Sequence, residues 1–156
     1  MWTLMDSPVG ELRIVAQDGA VTAIEFAPHR DAEPGPRVDD DPVLREAVTQ
    51  LEAYFARELK EFDLPLAPQG TPFQQRVWAE LREIGYGETA SYGQVAHRIG
   101  MTNAASRAVG LANGRNPIPI VIPCHRVIGA NGTLTGYAGG LPTKQTLLEL
   151  EQDALF

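Results

Sequence analysis

The sequence predicts an α/β (α+β) protein in which a small N-terminal α/β domain with an antiparallel sheet precedes a mostly helical C-terminal domain containing a helix-turn-helix. Three observations lead to this prediction: short alternating strands before residue 27, capped apolar helices after residue 41, and a proline-containing linker at 61–70. The 156 residues, 44% hydrophobic and 21% charged, suffice for two small cooperating units. We expect domains at residues 1–66 and 67–156.

The N-terminal segments predict strands and then one helix. Three runs of alternating apolar and polar residues are bounded by turns, and they are Trp2–Met5, Glu11–Ala16 and Ala20–Phe26. Residues 27–41 are rich in Pro, Asp and Glu and have no apolar period, so we expect a surface loop. From Asp41-Pro42 to Phe55, apolar residues recur at three- and four-residue steps, which predicts a helix that packs on the sheet.

Two helices of the C-terminal part begin at capping boxes. Thr71 supplies a cap hydroxyl, Pro72 occupies the first helical position, and Gln74 stands where a capping box needs its third residue. Ser91 and Gln94 repeat the pattern. The sequence therefore predicts one helix that starts at about residue 72 and another that starts at about residue 92.

A helix-turn-helix pattern follows. The helix that starts after the second capping box stops at Gly100, and Thr102 or Asn103 is expected to cap a further helix through about Ala112. This last helix has small side chains and one long cation, Arg107, so it can lie close against a groove of DNA. Tight packing in the core, with Arg107 merely exposed, is the alternative.

Charge is unevenly distributed along the chain. The net charge of −7 by itself argues against a nucleic-acid partner. Residues 1–70, however, hold 14 acidic and 6 basic side chains, and residues 71–156 hold 6 acidic and 7 basic ones. No Asp or Glu occurs from Thr89 to Leu148, where the cations are Arg98, Arg107, Arg115, Arg126 and Lys144. This stretch favours an anionic partner, with ordinary solubilising charge as the alternative.

Several classes of protein are excluded. The N-terminus has no basic flank before an apolar run, and no apolar run is long enough to cross a membrane, so we expect a cytoplasmic protein without a signal peptide. A single cysteine cannot form an internal disulfide. His29, His97 and His125 are far apart in sequence, so we expect neither a metal site nor a cofactor.

Cys124 follows an apolar segment with three prolines, residues 117–123. Such a segment cannot be a central strand, so we expect an irregular path that holds the cysteine rigidly. The adjacent His125 can accept or relay the thiol proton, and Glu149 or Glu151 can orient the imidazole. An inert cysteine in the core remains the alternative.

Residues 123–127, Pro-Cys-His-Arg-Val, together with Asn-Pro-Ile-Pro at 116–119 and Gly-Tyr-Ala-Gly-Gly at 136–140, closely resemble the active-site signature of the methylated-DNA-protein-cysteine methyltransferases, the O6-alkylguanine-DNA alkyltransferases. The resemblance spans essentially all of residues 71–151. The N-terminal part looks like the variable α/β domain of that family.

The resemblance implies repair of DNA by direct, stoichiometric transfer of an alkyl group from O6-alkylguanine to the Cys124 thiolate. O4-alkylthymine is the other candidate lesion. Members of the family bind double-stranded DNA through the minor groove and flip the damaged base into a pocket, and Arg107 would take its place in the stack. The thioether product implies one turnover per molecule, and a monomer suffices.

The resemblance also implies roles for particular residues. His125 would act as the base through a water, Glu151 would orient His125, and Asn116 would brace the loop that carries Cys124. Tyr92 would press on the phosphate backbone and donate a proton to the departing guanine. The other expected DNA contacts are Ala105, Ser106, Arg107, Ala108, Arg115 and Arg126, and the expected pocket residues are Val127, Tyr137 and Ala138.

Two alternatives and one departure bear on this interpretation. An alkyltransferase-like protein that only recognises lesions would lack the cysteine, whereas this chain has Cys124. A thiol hydrolase or redox sensor would use Cys124 with His125, turn over repeatedly, and need neither DNA nor Arg107. Ala138 stands where some relatives have serine, so a side-chain hydroxyl contact to the O6 atom is absent.

Overall fold

The computed structural model describes residues 1–29 and 33–153. The chain forms two compact units, Met1–Gln69 and the remainder from Gly70 onward. The expected division after residue 66 lies shortly before this boundary. Residues 30–32 of the expected surface loop lie outside the described residues, and so do the last three residues of the chain.

The N-terminal unit is a three-stranded antiparallel sheet with one helix, as the sequence predicts. Its elements are β1 (Trp2–Met5), β2 (Leu12–Gln17), β3 (Ala20–Phe26) and α1 (Pro42–Phe55). The strand order is β1-β2-β3, and a β-bulge between Val15 and Ala16 interrupts the pairing of β2 with β3. Asp41 caps α1 by accepting a hydrogen bond from the Leu44 amide at 3.0 Å. The apolar face of α1 is buried and packs on the sheet.

The C-terminal unit is mostly helical. Its elements are α2 (Pro72–Leu81), β4 (Ala90–Ser91), α3 (Tyr92–Arg98), α4 (Ser106–Gly114), β5 (Val127–Ile128) and α5 (Leu141–Asp153). Both expected capping boxes are present. The Gln74 and Gln94 amides donate to the Thr71 and Ser91 hydroxyls at 3.2 and 3.1 Å.

Helices α3 and α4 pack against each other as a helix-turn-helix. Gly100 ends α3 with a φ of +81°, a left-handed conformation that favours glycine. The expected helix start at Thr102 or Asn103 is wrong in detail: residues Asn103–Ala105 form a 3-10 turn, the Thr102 side chain makes no cap hydrogen bond, and α4 begins at Ser106. The second helix is consequently one turn shorter at its start than the sequence pattern predicts.

A two-stranded parallel sheet, which the sequence pattern does not predict, joins two distant parts of this unit. Ala90 of β4 pairs with Val127 of β5, and Ser91 pairs with Ile128. Each strand has only two residues, too few for an alternating pattern to be visible. The pairing fixes the residues that follow Cys124 beside the start of α3.

Candidate active site and nucleic-acid interface

A loop without regular structure leads to Cys124, as expected from its prolines. The Asn116 side chain braces this loop, because its Nδ2 donates to the Ile122 carbonyl at 2.8 Å and its Oδ1 accepts from the Ile118 amide at 3.0 Å. Ile120 has a φ of +74°, a strained conformation for a β-branched residue. A short 3-10 turn, Cys124–Arg126, then leads into β5.

The Cys124 thiol is buried, with 5% of the residue exposed. Burial raises the pKa of this thiol to about 11, so the free protein holds it protonated at neutral pH. Hydrogen bonds from the side chains of Asn116 and Tyr137 and the positive charge of Lys144 oppose that rise, since each favours the thiolate. The site therefore surrounds an unreactive thiol with groups that stabilise its reactive form.

His125 and Glu151 form a buried pair next to the cysteine in sequence. The His125 Nε2 atom lies 2.7 Å from a Glu151 carboxylate oxygen, and both side chains are at most 1% exposed. Burial lowers the pKa of His125. Burial opposes the ionisation of Glu151, but hydrogen bonds from His125 and Arg126 and the charge of Arg126 outweigh it, and the pKa of Glu151 is lowered to about 2.

The protonation of this pair follows from these shifts. Because Glu151 is ionised and His125 is neutral at pH 7, the Nε2 atom carries the imidazole proton and donates it to the carboxylate. The Nδ1 atom is then the basic nitrogen. It is buried and has no hydrogen-bond partner among the residues that the structure describes. His125 therefore presents an oriented and unused proton acceptor.

Arg126 is a structural residue of this network. Its Nε and Nη2 atoms donate to the two Glu151 oxygens at 2.9 and 3.0 Å, and its Nη1 atom donates to the Ile84 carbonyl at 2.6 Å. The residue is only 6% exposed. The expectation that Arg126 contacts DNA is therefore wrong, because its guanidinium is buried and directed at a carboxylate rather than at the surface.

Lys144 is a site residue that sequence reasoning counted only as one cation of the acid-free stretch. Its Nζ atom donates to the Val127 carbonyl at 2.6 Å and to the Thr135 carbonyl at 3.2 Å. The residue is fully buried, and burial lowers the pKa of its ammonium group while a negative charge on Cys124 raises it. Nothing in the local sequence distinguishes this lysine from an exposed one on an amphipathic helix.

An open cavity of about 420 Å³ lies between α3, α4 and the loop before α5. Its lining residues are Tyr92, Gly110, Leu111, Gly114, Arg115, Gly136, Tyr137 and Ala138. Tyr137 also contributes to lowering the pKa of the Cys124 thiol, which connects the cavity with the cysteine. Among the expected pocket residues, Tyr137 and Ala138 line this cavity, whereas Val127 is fully buried and contributes its carbonyl to Lys144.

A second depression, of about 370 Å³, adjoins the first on the outer face of α4. Its lining residues are Tyr92, Ser106, Arg107, Gly110 and Leu111. Arg107 and Ala108 are exposed, and Ala105 is partly exposed just before α4. The structure thus brings the expected DNA contacts other than Arg126 to the helix-turn-helix or to the end of α4, where Arg115 is exposed.

No helix in the described part of the chain is long and apolar enough to cross a membrane. Within residues 1–29 and 33–153, no three His, Cys, Asp or Glu side chains come together as a metal site would require.

The geometry of the site is that of a protein that reacts through a cysteine thiol. That thiol, of Cys124, lies next to a helix-turn-helix. Two family models match the chain: "6-O-methylguanine DNA methyltransferase, ribonuclease-like domain" over residues 1–68 and "6-O-methylguanine DNA methyltransferase, DNA binding domain" over residues 72–153. The chain belongs to the methylated-DNA–protein-cysteine methyltransferase family.

Individual relatives agree with this assignment. The chain is 51% identical over 152 residues to the methylated-DNA–protein-cysteine methyltransferase of Methanosarcina acetivorans, covering 96% of this chain and 97% of the relative. It is 53% identical over 150 residues to the enzyme of the same name from Mycolicibacterium paratuberculosis, covering 95% and 90%. A crystal structure of the Mycobacterium tuberculosis OGT in complex with DNA superposes with a TM-score of 0.90 at 49% identity, covering 98% of this chain and 93% of that one.

These findings establish the activity of the chain. It is a DNA-repair methyltransferase that acts on DNA and transfers an alkyl group directly from the DNA to a cysteine of its own.

Proposed function

We propose that Cys124 accepts the alkyl group of O6-alkylguanine in double-stranded DNA, with O4-alkylthymine as the other candidate lesion. The observation that carries this proposal is the chain's single cysteine, held by the Asn116-braced loop beside the buried His125–Glu151 pair. The product is a thioether, which water and ordinary thiols do not cleave. Each molecule therefore acts once.

In the proposed reaction, His125 removes the thiol proton. Its Nδ1 atom is the free acceptor, and the ionised Glu151 at Nε2 stabilises the imidazolium that forms. A water bridging the thiol and Nδ1 would carry the proton. The Lys144 charge stabilises the thiolate, which matters because burial holds the thiol pKa at about 11 in the free protein.

The alkyl transfer itself is a displacement at the alkyl carbon. The Cys124 sulfur forms a bond to that carbon while the carbon–O6 bond breaks, and the bonding pair stays with the guanine. The leaving base must be neutralised, and we assign its proton to the hydroxyl of Tyr92, which lines the cavity. Tyr137 and Ala138 would line the space for the flipped base.

We further propose that the helix-turn-helix binds the minor groove as a monomer, in the cytoplasm. The small residues Ala105 and Ala108 allow close approach of the backbone, while Ser106 and Arg115 are available to phosphates. Arg107 would fill the vacancy in the base stack, because flipping costs a few kcal/mol that an inserted side chain offsets. Its exposure at the start of α4 supports this role.

The test mixes the protein with a duplex oligonucleotide that contains one O6-methylguanine and follows intact mass and peptide maps at equimolar and excess DNA. We expect one methyl group on Cys124 and no further reaction beyond one equivalent. The Cys124→Ser variant serves as the control and should bind the same duplex without gaining mass. Methyl-group loss from the DNA with repeated turnover, or modification at another residue, would refute the proposal.

A further inference from the structure

The Thr135 hydroxyl bonds Tyr92, a residue of the cavity wall, and the roles proposed so far do not use it. Its Oγ1 atom is hydrogen-bonded to the Tyr92 Oη atom, across the space between α3 and the loop before α5. Both residues are half-buried. The bond joins the proposed proton donor to the loop whose next three residues, 136–138, line the cavity.

The backbone of Thr135 is fixed independently of its side chain. The buried Lys144 ammonium donates to the Thr135 carbonyl at 3.2 Å, and the same group holds the Val127 carbonyl at 2.6 Å. Lys144 in turn favours the thiolate of Cys124 by its charge. The backbone of Thr135 is therefore held in place whether or not its hydroxyl bonds Tyr92.

We propose that Thr135 is a positioning residue for alkyl transfer, whose hydroxyl holds the Tyr92 phenol and directs its proton at the departing base. The inference rests on the proposed role of Tyr92 as proton donor.

The proton balance of this arrangement is simple. Either oxygen of the pair can be the donor when the cavity is empty. When a base occupies the cavity, Thr135 donates to the Tyr92 oxygen, and the Tyr92 proton is left to point at the base. As the carbon–O6 bond breaks, that proton moves to the guanine, and the Thr135 hydroxyl stabilises the phenolate by a hydrogen bond while keeping its own proton. Solvent reprotonates Tyr92 after the base leaves.

The proposed role and a purely structural role of Thr135 predict different effects when its hydroxyl is removed. Removing the hydroxyl while keeping the shape of the side chain, as in Thr135→Val, leaves the Lys144 tether of the backbone in place. We therefore expect the loop, the melting temperature and the affinity for DNA to change little. The rate of transfer at saturating DNA should fall about tenfold, the usual effect of one hydrogen bond made in the transition state.

The experiment measures single-turnover methyl transfer from duplex O6-methylguanine, together with DNA affinity and melting temperature, for Thr135→Val, Thr135→Ser and Thr135→Ala. Thr135→Ser keeps the hydroxyl and should restore most of the wild-type rate, and Thr135→Ala should behave like Thr135→Val. Thr133→Val is the matched control, because the Thr133 side chain bonds Asn131 in the same loop and should leave the rate unchanged.

The double variant Tyr92→Phe/Thr135→Val decides whether Thr135 acts through Tyr92. We expect Thr135→Val to slow the wild-type protein about tenfold but the Tyr92→Phe protein less than about twofold. Equal slowing in both backgrounds, a wild-type rate in Thr135→Val, or a loss confined to DNA affinity would each overturn the inference. Failure of the wild-type protein itself to transfer the methyl group to Cys124 would instead refute the proposed function.

Discussion

The protonation state of Cys124 is set by its burial and by the residues around it. Burial raises the pKa of the thiol to about 11, while Lys144, Asn116 and Tyr137 each favour the thiolate. The lysine is the only one of the three that carries a charge, and it is held by the two carbonyls of Val127 and Thr135. The pKa of the thiol therefore depends on a buried cation.

Replacing that cation should raise the thiol pKa further. Lys144→Met keeps the aliphatic stem, removes the charge and leaves two carbonyls without their donor. We expect slower alkyl transfer and a loss of about 2–6 kcal/mol in the free energy of unfolding, since each of the two unsatisfied carbonyls costs about 1–3 kcal/mol. The measurements are the pH dependence of thiol alkylation by a small reagent and urea unfolding. An unchanged thiol titration would show that Lys144 does not act on Cys124.

Glu151 makes stability depend on pH in the acid range. Its pKa is lowered from 4.5 to about 2 in the folded protein, so the unfolded chain takes up protons more readily. The corresponding stabilisation, on the order of 3 kcal/mol, is fully present above about pH 4.5 and is lost as pH falls through about 2. Urea unfolding between pH 6 and 2 measures it.

Glu151→Gln is the matched variant for this pH dependence. It should be less stable at neutral pH, because the buried Arg126 guanidinium loses its carboxylate, and it should lack the Glu151 contribution to acid sensitivity. Its rate of alkyl transfer should also fall, since His125 loses the charge that stabilises its protonated form. Identical pH profiles of stability for the two proteins would contradict the assignment.

At the scale of elements, α4 has the proposed DNA-binding surface on one side and the cysteine loop on the other. Its exposed side carries Arg107 and Leu111 next to the cavity, and its buried side carries Val109, Ala112 and Asn113. Asn113 donates to the Cys124 carbonyl at 3.4 Å, so the same helix contacts the cysteine loop. A substitution on the outer side can therefore change DNA binding without disturbing the site.

Arg107→Ala should slow repair in duplex DNA by about tenfold or more while changing the reaction with a free O6-alkylguanine base less than about twofold. Only the duplex requires a base to be flipped, and the cost of flipping is a few kcal/mol. Single-turnover rates with both substrates provide the measurement. Arg82→Ala removes an equal charge just after α2 and serves as control. Equal losses on both substrates would exclude insertion of Arg107 into the base stack.

At the scale of the whole molecule, an acidic protein binds an acidic polymer. The acidic excess lies in residues 1–70, while residues 89–148 carry only basic charges. Binding by so few cations should still depend on salt, because each phosphate contact releases a counterion. The net charge of the chain is then a poor guide to its partner, and the local charge is the better one.

Arg115→Gln should reduce the slope of log K against log salt by about 1, since it removes one phosphate contact. The same change at the exposed Arg45 of α1 should leave the slope unaltered. Fluorescence anisotropy with a labelled duplex over a range of salt concentrations measures both slopes. If Arg115→Gln leaves the slope unchanged, Arg115 is not a phosphate contact.

Local sequence signals predicted most of the elements but not all of the site. The capping residues Thr71 and Ser91 and the apolar period of α1 were sufficient to locate three helices. Caps and amphipathic faces depend on residues a few positions apart, so they can be recognised in the sequence. The 3-10 turn before α4 and the β4–β5 pair are too short to leave a period in the sequence. The β4–β5 pair also depends on contacts between segments distant along the chain.

The sequence by itself determined the fold class, the family, the single cysteine and the histidine beside it, since each follows from residue type and local order. Tertiary structure alone decided which cations are buried. Arg126 and Lys144 belong to the same acid-free stretch as Arg107, yet Arg126 pairs with Glu151 and Lys144 bonds two carbonyls, while Arg107 is exposed. The physical reason is that burial, which sets the energy and role of a charge, depends on what folds against it.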